Sequence, residues 1–344
     1  MSERLLHRLQ AKHPYPLAVS LAITERCNLA CKHCYLPADR DHAELSASEI
    51  EGLLDELASL GTLFLTITGG EPAMRLDLEE IVAAAVERRF LVVLKTNATL
   101  LDERRVGALV GAGLGEVHVS LYDDRPAEHD AFVGRPGAWR RSLAALELLA
   151  AQGVNVIATI VAFRDNADRI PRIVGLCAER DISYGILTRM LPGMDGDRAP
   201  CALRVNEEQI EEMLKDPQLF APTDLLGQCE YRPDGAFCAA GIGLAHIWPD
   251  GRVGLCSIVP LVLGNIRERS FGDLWITSIE RRRFVEMTWS DLSACSQCPD
   301  AWACNRCPGA AFLETGDLAG VSPADCDMAK ARARVCGRSS DERS

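Results

Sequence analysis

The chain has 344 residues, of which 48% are apolar and 25% are charged, and its 37 basic and 49 acidic side chains give a formal net charge of −12. This apolar fraction is typical of a globular protein and excludes a mostly disordered or collagen-like chain. The acidic balance argues against a nucleic-acid partner, because neutralising phosphates requires a surplus of Lys and Arg. The sequence contains neither a signal peptide nor a run of about 18 apolar residues, so we expect a soluble, cytoplasmic protein without a membrane partner.

The first two hundred residues alternate short β-rich runs with amphipathic helical stretches. Ser46 lies three residues before Glu49, and this pair predicts a capping box at the start of one helix. The β-rich runs are nearly continuous in hydrophobicity, as is typical of parallel strands buried on both faces. Six strand–helix units in about 175 residues predict an α/β fold with a partial (β/α)6 barrel of the TIM type, because a closed eight-unit barrel needs about 250 residues. The predicted strands are 18–23, 63–68, 91–96, 116–121, 155–162 and 183–188.

The remainder of the chain differs from this pattern. We expect the barrel to cover residues 1–200, a linker to cover 201–228 and a cysteine-rich extension to cover 229–336. The extension has too little apolar periodicity to be stabilised by a hydrophobic core alone, and metal ligation would supply the missing stability. Catalytic groups are expected beyond the carboxyl ends of the barrel strands.

The chain has 14 cysteines, and their spacing favours metal binding over a disulfide framework, which is typical of short secreted chains. Cys27, Cys31 and Cys34 form a CxxxCxxC motif directly after the first strand. Three thiolates with this spacing can hold three corners of a [4Fe–4S] cluster and leave the fourth iron open to a cofactor or substrate. A structural zinc site is the alternative, but His33 lies between two of the cysteines and is poorly placed to be its fourth ligand.

The second predicted strand ends in Gly69-Gly70-Glu71-Pro72. Paired glycines permit a close backbone approach to a ligand, and Glu71 can bind a cationic amine, although this motif alone could also be a plain turn before a helix. Together with CxxxCxxC, it makes residues 15–195 resemble the radical S-adenosylmethionine (SAM) superfamily. The resemblance implies that the open iron binds the amine and carboxylate of SAM. One-electron reduction then cleaves SAM to methionine and a 5′-deoxyadenosyl radical, which removes a hydrogen atom from the substrate.

The same resemblance implies SAM-binding roles for six residues, while no catalytic residue is assigned. Gly69, Gly70 and Glu71 match the segment that holds the amine of SAM, Asn97 and Ser120 match positions that reach its ribose or carboxylate, and Arg135 matches an arginine that pairs with its carboxylate. For the last three residues the alternatives are a turn residue, a strand-end cap and a surface charge.

The extension contains Cys238, Gly251-x4-Cys256, two CxxC hooks and Cys326. Paired CxxC hooks alone would also suit a zinc ribbon or a rubredoxin site. The full pattern resembles the SPASM extension of radical SAM enzymes, which carries two auxiliary [4Fe–4S] clusters. The last hook, Cys304-x2-Cys307, is one residue shorter than the usual CxxxC. The resemblance implies Cys238, Cys256, Cys307 and Cys229 as ligands of the first auxiliary cluster, and Cys295, Cys298, Cys304 and Cys326 as ligands of the second.

Segments between His118 and Trp139, together with Cys307-Pro308-Gly309, resemble SPASM enzymes that modify ribosomally made peptides in natural-product maturation. Such enzymes make thioether or C–C crosslinks, or epimerise residues, and they need a reducing electron donor such as flavodoxin or ferredoxin. About 16 residues precede the first strand, which leaves no room for a leader-binding domain there, so either a separate leader-binding protein presents the peptide or the substrate is small.

Two other classes of protein remain as alternatives. One is a radical SAM oxidoreductase, epimerase or decarboxylase that acts on a small sugar or aminocyclitol intermediate in antibiotic biosynthesis. The other is a non-catalytic iron–sulfur electron carrier, which would need neither the Gly-Gly-Glu-Pro segment nor a three-cysteine site with an open iron.

Overall fold

The computed structural model describes residues 13–37, 43–220 and 231–337. Within these residues its strands are β1 (Ala18–Ala22), β2 (Phe64–Thr68), β3 (Leu91–Thr96), β4 (Glu116–Leu121), β5 (Asn155–Val161), β6 (Ser183–Leu187), β7 (Leu244–Ile247), β8 (Arg252–Gly254) and β9 (Val262–Asn265). Its α-helices are α1 (Ala47–Ser59), α2 (Leu78–Glu87), α3 (Glu103–Gly111), α4 (Pro126–Val133), α5 (Ala138–Ala151), α6 (Ile170–Ala178), α7 (Glu207–Lys215), α8 (Phe271–Thr277), α9 (Ile279–Glu286), α10 (Pro308–Thr315) and α11 (Pro323–Val335).

Strands β1 to β6 are parallel neighbours in chain order, and helices lie between successive strands. The sheet order is β6-β5-β4-β3-β2-β1-β7-β8-β9, so the second edge of β1 pairs with β7 and β6 stays at the other end of the sheet. This arrangement confirms the predicted partial (β/α)6 barrel. All six predicted strands are present, and their ends agree with the sequence prediction to within one residue.

The helices cover one face of the sheet. Val19 and Leu21 of β1 and Leu65 and Ile67 of β2 are at most 1% exposed and belong to one core cluster together with buried helix residues such as Leu54. The alternate side chains form the other face, here called the inner face, and most of them are half-buried or exposed. Polar members of the inner face are Ser20, Thr66, Thr68, Lys95, His118, Ser120 and Thr159. The expectation that the strands are buried on both faces is therefore wrong, because helices pack on one side only.

Local capping interactions define where helix α1 begins. The Ser46 backbone N–H donates to Glu49 Oε2 at 2.8 Å, and the Glu49 N–H donates to Ser46 Oγ at 3.3 Å. The predicted capping box is thus confirmed, and each partner satisfies a helix-terminal donor of the other. Glu49 also forms an ion pair at 2.6 Å with Arg267, which lies between β9 and α8. The start of α1 is therefore joined to the C-terminal part of the chain.

The C-terminal part extends the same sheet. Strand β7 is parallel to β1, with Ser20 opposite His246, and β8 and β9 follow as antiparallel strands. Helix α7 is joined to α11 by an ion pair of 2.7 Å between Glu207 and Arg334. The domain boundaries at residues 200 and 228 stay predictions. Among the described residues, no helix has the length and apolarity that crossing a membrane would require.

Candidate active site

The three cysteines of CxxxCxxC lie in one loop directly after β1. Their side chains are half-buried and none is joined in a disulfide. The Cys34 N–H donates to the Cys31 carbonyl at 3.0 Å, which folds the second half of the motif into a turn. Two further backbone hydrogen bonds, from Ala30 to Val133 and from Lys32 to Phe132, fasten the loop to the end of α4 at 3.0 and 3.1 Å. The sequence between the cysteines is therefore held in a fixed backbone conformation.

The Gly-Gly-Glu segment after β2 packs directly against the chain that leads into this loop. The Gly70 N–H donates to the Thr24 carbonyl, and the Glu71 N–H donates to the Arg26 carbonyl, both at 2.8 Å. A Cβ atom on Gly70 would contact the Glu25 carbonyl oxygen and would lie 2.5 Å from the Arg26 carbonyl oxygen. Glycine is thus needed here for contact with the cysteine loop, in addition to the ligand approach that the sequence suggested.

Glu71 is fully buried and its carboxylate accepts three hydrogen bonds from the chain itself. Oε1 accepts from Thr96 Oγ1 at 2.5 Å and from the Ala73 N–H at 3.0 Å, and Oε2 accepts from the Asn97 N–H at 2.7 Å. Burial raises the pKa of Glu71, while the three hydrogen bonds and the charge of Arg105 act in the opposite direction. The structure therefore shows Glu71 joining the ends of β2 and β3, and its contact with the amine of SAM stays a prediction.

Two other predicted SAM-binding residues meet the cysteine loop at Asn28. Asn97 donates through Nδ2 to Asn28 Oδ1 at 3.0 Å and accepts from the Thr99 N–H at 2.9 Å. Arg135, between α4 and α5, donates to the Asn28 carbonyl at 3.4 Å. Asn28 also donates to Thr99 Oγ1 at 2.8 Å. Sequence reasoning missed Asn28 and Thr99, and the only available signal was their place beside Cys27 and Asn97.

The sixth predicted residue, Ser120, lies near the end of β4 and close to Tyr122. Burial raises the pKa of Tyr122, and the nearby charge of Cys31 acts in the same direction. The Tyr122 ring is 5.1 Å from the His33 ring and 4.9 Å from the Phe132 ring. His33 is thus enclosed by aromatic rings, and burial lowers its pKa to about 4. Tyr122 is a further site residue that the sequence analysis did not find.

A zinc ion and an iron–sulfur cluster require different ligand geometries. Within residues 13–37, 43–220 and 231–337, no three His, Cys, Asp or Glu side chains converge on the position of a single metal ion. A zinc ion needs ligand atoms at about 2.0–2.3 Å, whereas the cysteines of a [4Fe–4S] cluster bind different iron atoms of a larger cube. A loop carrying three separated thiols fits the cluster better than it fits zinc.

Six of the described cysteines of the tail form two groups. Cys238, Cys256 and Cys307 are close enough for their charges to interact, and burial raises the pKa of Cys238 to about 11. Cys326 is similarly close to Cys295 and Cys298, and burial raises its pKa to about 11. Thiols in such surroundings ionise only when a cation compensates the charge, which iron ligation provides.

Cys304 packs with Cys295 and Cys298 around the buried side chains of Trp289 and Leu292. Cys229 lies outside the described residues. The assignment of individual cysteines to the two auxiliary clusters stays a prediction, as does each ligand role. Cys177, which was not a candidate ligand, is 2% exposed in α6 and belongs to the core.

An arginine after β6 connects the barrel to the tail cysteines. Arg189 donates to Asp325 Oδ1 at 2.7 Å and to the Asn305 carbonyl at 2.8 Å. Asp325 Oδ2 in turn accepts from the Cys307 N–H at 2.8 Å. Asp325 precedes Cys326, so one ion pair positions residues next to both groups of tail cysteines. No spacing in the sequence indicates this contact, because its partners are more than a hundred residues apart.

A pocket of about 130 Å³ lies on the inner face of the sheet, between the loop that contains Cys34 and the loop that contains Cys256. Strand residues line it together with Tyr35, which follows Cys34, and Ser257, which follows Cys256. We call it the inner-face pocket. It is lined by Ser20, Ala22, Thr24, Glu25, Tyr35, Leu36, Thr68, Gly69, Lys95, His246, Trp248, Pro249 and Ser257.

Comparison with known families agrees with this geometry. Residues 21–177 match the model of the radical SAM superfamily, and residues 238–299 match that of SPASM, an iron–sulfur cluster-binding domain. The chain is a radical SAM enzyme with a SPASM domain. Its cofactors are accordingly SAM, the [4Fe–4S] cluster of the radical SAM domain and the auxiliary iron–sulfur clusters of the SPASM domain.

Relatives of known function fall into at least two groups. An AdoMet-dependent heme synthase of Methanosarcina barkeri (strain Fusaro / DSM 804) is 27% identical over 340 residues, which cover 90% of this chain and 95% of the relative. A PqqA peptide cyclase of Gluconobacter oxydans (strain 621H) is 28% identical over 335 residues, which cover 93% of both chains. Similarity of this extent supports the enzyme class but leaves the reaction open.

Solved structures share the fold. SuiB of Streptococcus suis bound to S-adenosylmethionine matches with a TM-score of 0.69 and 17% identity, covering 94% of this chain and 80% of SuiB. Native anSMEcpe with bound AdoMet matches with a TM-score of 0.71 and 17% identity, covering 93% of this chain and 97% of that protein. The whole arrangement of barrel and tail is therefore a known one.

Proposed function

We propose that this radical SAM enzyme modifies a ribosomally made peptide, by forming a thioether or C–C crosslink or by epimerisation, during natural-product maturation. The observation that carries the proposal is the position of the inner-face pocket, which is lined both by Tyr35, next to Cys34, and by Ser257, next to Cys256. A substrate in this pocket lies between the SAM-binding loop and the first group of tail cysteines. Such a position suits a reaction in which hydrogen abstraction is followed by transfer of an electron to an auxiliary cluster.

Two comparisons support a peptide substrate. One relative that aligns with 93% of this chain is named PqqA peptide cyclase. A solved structure of SuiB with its precursor peptide SuiA has the same fold, with a TM-score of 0.70. A reducing electron donor such as flavodoxin or ferredoxin, and a separate leader-binding protein, belong to the same proposal.

When bound at the open iron of the first cluster, SAM supplies a carbon-centred radical that takes a hydrogen atom from the substrate. The residues of this chain hold and orient the cofactors and restrict access of water. Asn28 links Asn97 and Arg135 to the cysteine loop, and Glu71 fixes the ends of β2 and β3, so the proposed binding groups are positioned before SAM arrives. We assign Cys27, Cys31 and Cys34 to the first cluster, and Gly69, Gly70, Glu71, Asn97, Ser120 and Arg135 to SAM.

A small-molecule substrate is the second candidate. It is favoured by the AdoMet-dependent heme synthase, which is 27% identical and aligns with 90% of this chain. A sugar or an aminocyclitol is likewise a small-molecule substrate. Both candidates use the same first cluster and differ in what occupies the inner-face pocket.

The cofactor part of the proposal is tested by anaerobic reconstitution followed by iron counting and a SAM-cleavage assay. We expect about twelve irons per chain, corresponding to three [4Fe–4S] clusters. Joint replacement of Cys27, Cys31 and Cys34 by Ala should remove about four irons and abolish 5′-deoxyadenosine formation. Cys201→Ala is the matched control, because Cys201 is a half-buried cysteine outside every proposed ligand set. Undiminished 5′-deoxyadenosine from the triple variant would contradict the assignment.

The substrate part is tested by co-expressing the enzyme with any short peptide encoded beside its gene and measuring the peptide by mass spectrometry. A loss of about 2 Da corresponds to an oxidative crosslink, and an unchanged mass with an inverted residue corresponds to epimerisation. Turnover of a sugar nucleotide, aminocyclitol or tetrapyrrole by the purified enzyme, with no change in any such peptide, would favour the second candidate.

A further inference from the structure

The inner-face pocket contains a lysine that no carboxylate of the described chain neutralises. Lys95 projects from β3 into the pocket, and among the residues that the structure describes it takes part in no ion pair and no side-chain hydrogen bond. Lys95 keeps contact with the solvent that fills the pocket, although partial desolvation by the surrounding side chains lowers its pKa. Its ammonium can therefore pair with an anion that enters the pocket from outside the chain.

Two hydroxyl groups beside Lys95 also lack a side-chain partner among the described residues. Ser20 of β1 and Thr68 of β2 line the pocket, and neither hydroxyl has a side-chain hydrogen-bond partner within the described ranges. The strand register accounts for their proximity, because Ala22 of β1 is opposite Thr68 and residue 20 lies on the same face as residue 22. The pocket thus presents one ammonium and two hydroxyl donors from three adjacent strands.

The side chain of His246 is a fourth polar group that lines the pocket. His246 of β7 is paired with Ser20 in the sheet, is 3% exposed and packs edge-on against the Trp248 ring at 4.8 Å. Its Nδ1 atom is buried and has no hydrogen-bond partner in the described part of the chain. Burial lowers the pKa of His246 to about 3, so the ring is neutral and offers either a donor or an acceptor. A buried polar atom without a hydrogen-bond partner usually binds a ligand atom or a water molecule.

The charges around the pocket limit which anion can bind. Lys95 is the one Lys or Arg among the residues that line the pocket, and Glu25 is the one Asp or Glu among them. A doubly charged phosphate would bring two negative charges to a pocket that offers a single cation. A singly charged carboxylate balances Lys95, and its two oxygens match an ammonium on one side and hydroxyl donors on the other. The carboxylate is therefore the anion that this donor set favours.

We propose that Lys95, together with the hydroxyls of Ser20 and Thr68, binds a carboxylate group of the substrate. This inference rests on the proposed function and names the chemical class of the group that the pocket selects. The carboxylate would be fixed at these strand residues, and the rest of the substrate would extend toward Gly69 and Tyr35, where SAM is proposed to bind. A peptide with an acidic side chain, a peptide C-terminus and a small carboxylic acid share this chemistry.

Lysine footprinting of the reconstituted holoenzyme tests the proposal directly. The chain has only five lysines, at positions 12, 32, 95, 215 and 330, so labelling by an amine-selective reagent can be followed at each by mass spectrometry. The probes are the capped tripeptide acetyl-Ala-Glu-Ala-amide, its Gln counterpart, acetyl-Ala-Ala-Ala with a free C-terminus, and glutarate. We expect at least one carboxylate probe to slow the labelling of Lys95 at least tenfold more than the Gln peptide does, with the other lysines unchanged.

The probe that protects best identifies the source of the carboxylate: an acidic side chain, a C-terminus or a small acid. Equal labelling of Lys95 with the carboxylate probes and the Gln peptide would overturn the proposal. Variants supply a second measurement. Lys95→Met should weaken calorimetric binding of the protecting probe at least tenfold, Lys95→Arg should restore most of it, and the control Lys215→Met, on the exposed side of α7, should have no effect.

SAM cleavage without any peptide separates this proposal from the proposed function. A wild-type holoenzyme that cleaves SAM but shows no carboxylate preference contradicts the Lys95 proposal alone, whereas failure of the wild type to cleave SAM contradicts the proposed function.

Discussion

Gly70 lies against the backbone that enters the cysteine loop, so adding one methyl group there should displace the ligands of the first cluster. The Cβ of Gly70→Ala would lie 2.5 Å from the Arg26 carbonyl oxygen, and real Cβ contacts are essentially never below 3.0 Å. The carbonyl must therefore move by at least about 0.5 Å to relieve this overpacking. The Glu71 N–H now donates to that carbonyl at 2.8 Å. The same movement would stretch this hydrogen bond to about 3.3 Å, beyond the usual range.

The cost of this displacement has two parts. Overpacking against backbone atoms costs about 1–3 kcal/mol, and a weakened hydrogen bond costs about 0.5–1.5 kcal/mol, so we expect a loss of about 2–4 kcal/mol in the free energy of unfolding. Arg26 directly precedes Cys27, and metal ligands tolerate displacements of only about 0.2 Å. Gly70→Ala should therefore lower the iron content by about four per chain and reduce 5′-deoxyadenosine formation, while the tail clusters stay loaded.

Anaerobic urea unfolding, iron analysis and the SAM-cleavage assay measure these effects together. Gly52→Ala is the matched control, because its Cβ would meet no atom within 4 Å on an exposed face of α1. That variant should gain about 0.5–1 kcal/mol from helix propensity and keep all of its iron. A Gly70→Ala protein with wild-type stability, iron content and SAM cleavage would refute the packing argument.

Three further predictions concern the tail and the pH dependence. Arg189→Met should lower the free energy of unfolding by about 1–3 kcal/mol, because it leaves the buried Asp325 carboxylate without its charged partner. The variant should also lose iron from the tail, and unchanged iron content and unfolding curves would contradict this prediction. Cys298→Ala should give fewer irons and an aggregating protein, since metal binding is coupled to folding, whereas full iron and normal stability would exclude it as a ligand. His129 is 1% exposed and burial lowers its pKa to about 4, so the unfolded chain binds a proton between pH 6.5 and 4 that the folded chain does not. The free energy of unfolding should therefore fall by up to about 1.4 kcal/mol per pH unit as the pH drops below 6.5. His129→Gln should remove this contribution from the pH dependence that urea unfolding measures. The same pH dependence in the wild type and the variant would contradict the prediction.

The alternating strands and helices could be predicted because their signals are local. Runs rich in Val, Ile, Leu and Thr defined β1 to β6 to within one residue, and the spacing of Ser46 and Glu49 marked the start of α1. The order of these units in a parallel sheet follows from the short connections between them. These features depend on neighbouring residues, which a single sequence displays directly.

The polar inner face was not predicted, although the sequence contains its signal. Thr66, Thr68, Val93 and Lys95 occur at alternate positions in β2 and β3, but the overall apolar character of these strands suggested burial on both faces. That rule applies when helices cover both sides of a parallel sheet, whereas here the inner side faces a pocket. The period-2 placement of hydroxyl and charged side chains was the better indicator.

The tail was harder to predict because its contacts are non-local. Strand β7 pairs with β1, more than two hundred residues away, and helices α10 and α11 have short or weakly amphipathic sequences. The distant ion pair of Arg189 with Asp325 likewise has no signature in either segment. Cysteine spacing indicated metal binding in this region, but only the fold shows which cysteines lie near one another.

The pairing of β7 with β1 explains why the tail and the barrel share one site. Parallel pairing puts the carboxyl end of β7 beside the carboxyl end of β1, so the segments after both strands reach the same edge of the sheet. Trp248 and Ser257 therefore lie at the inner-face pocket together with Tyr35 from the first cysteine loop. Had β7 run antiparallel, the same residues would have pointed toward the opposite edge, away from the proposed SAM site. The orientation of this one strand is thus what allows a substrate carboxylate held at Lys95 to lie within reach of both cluster-binding segments.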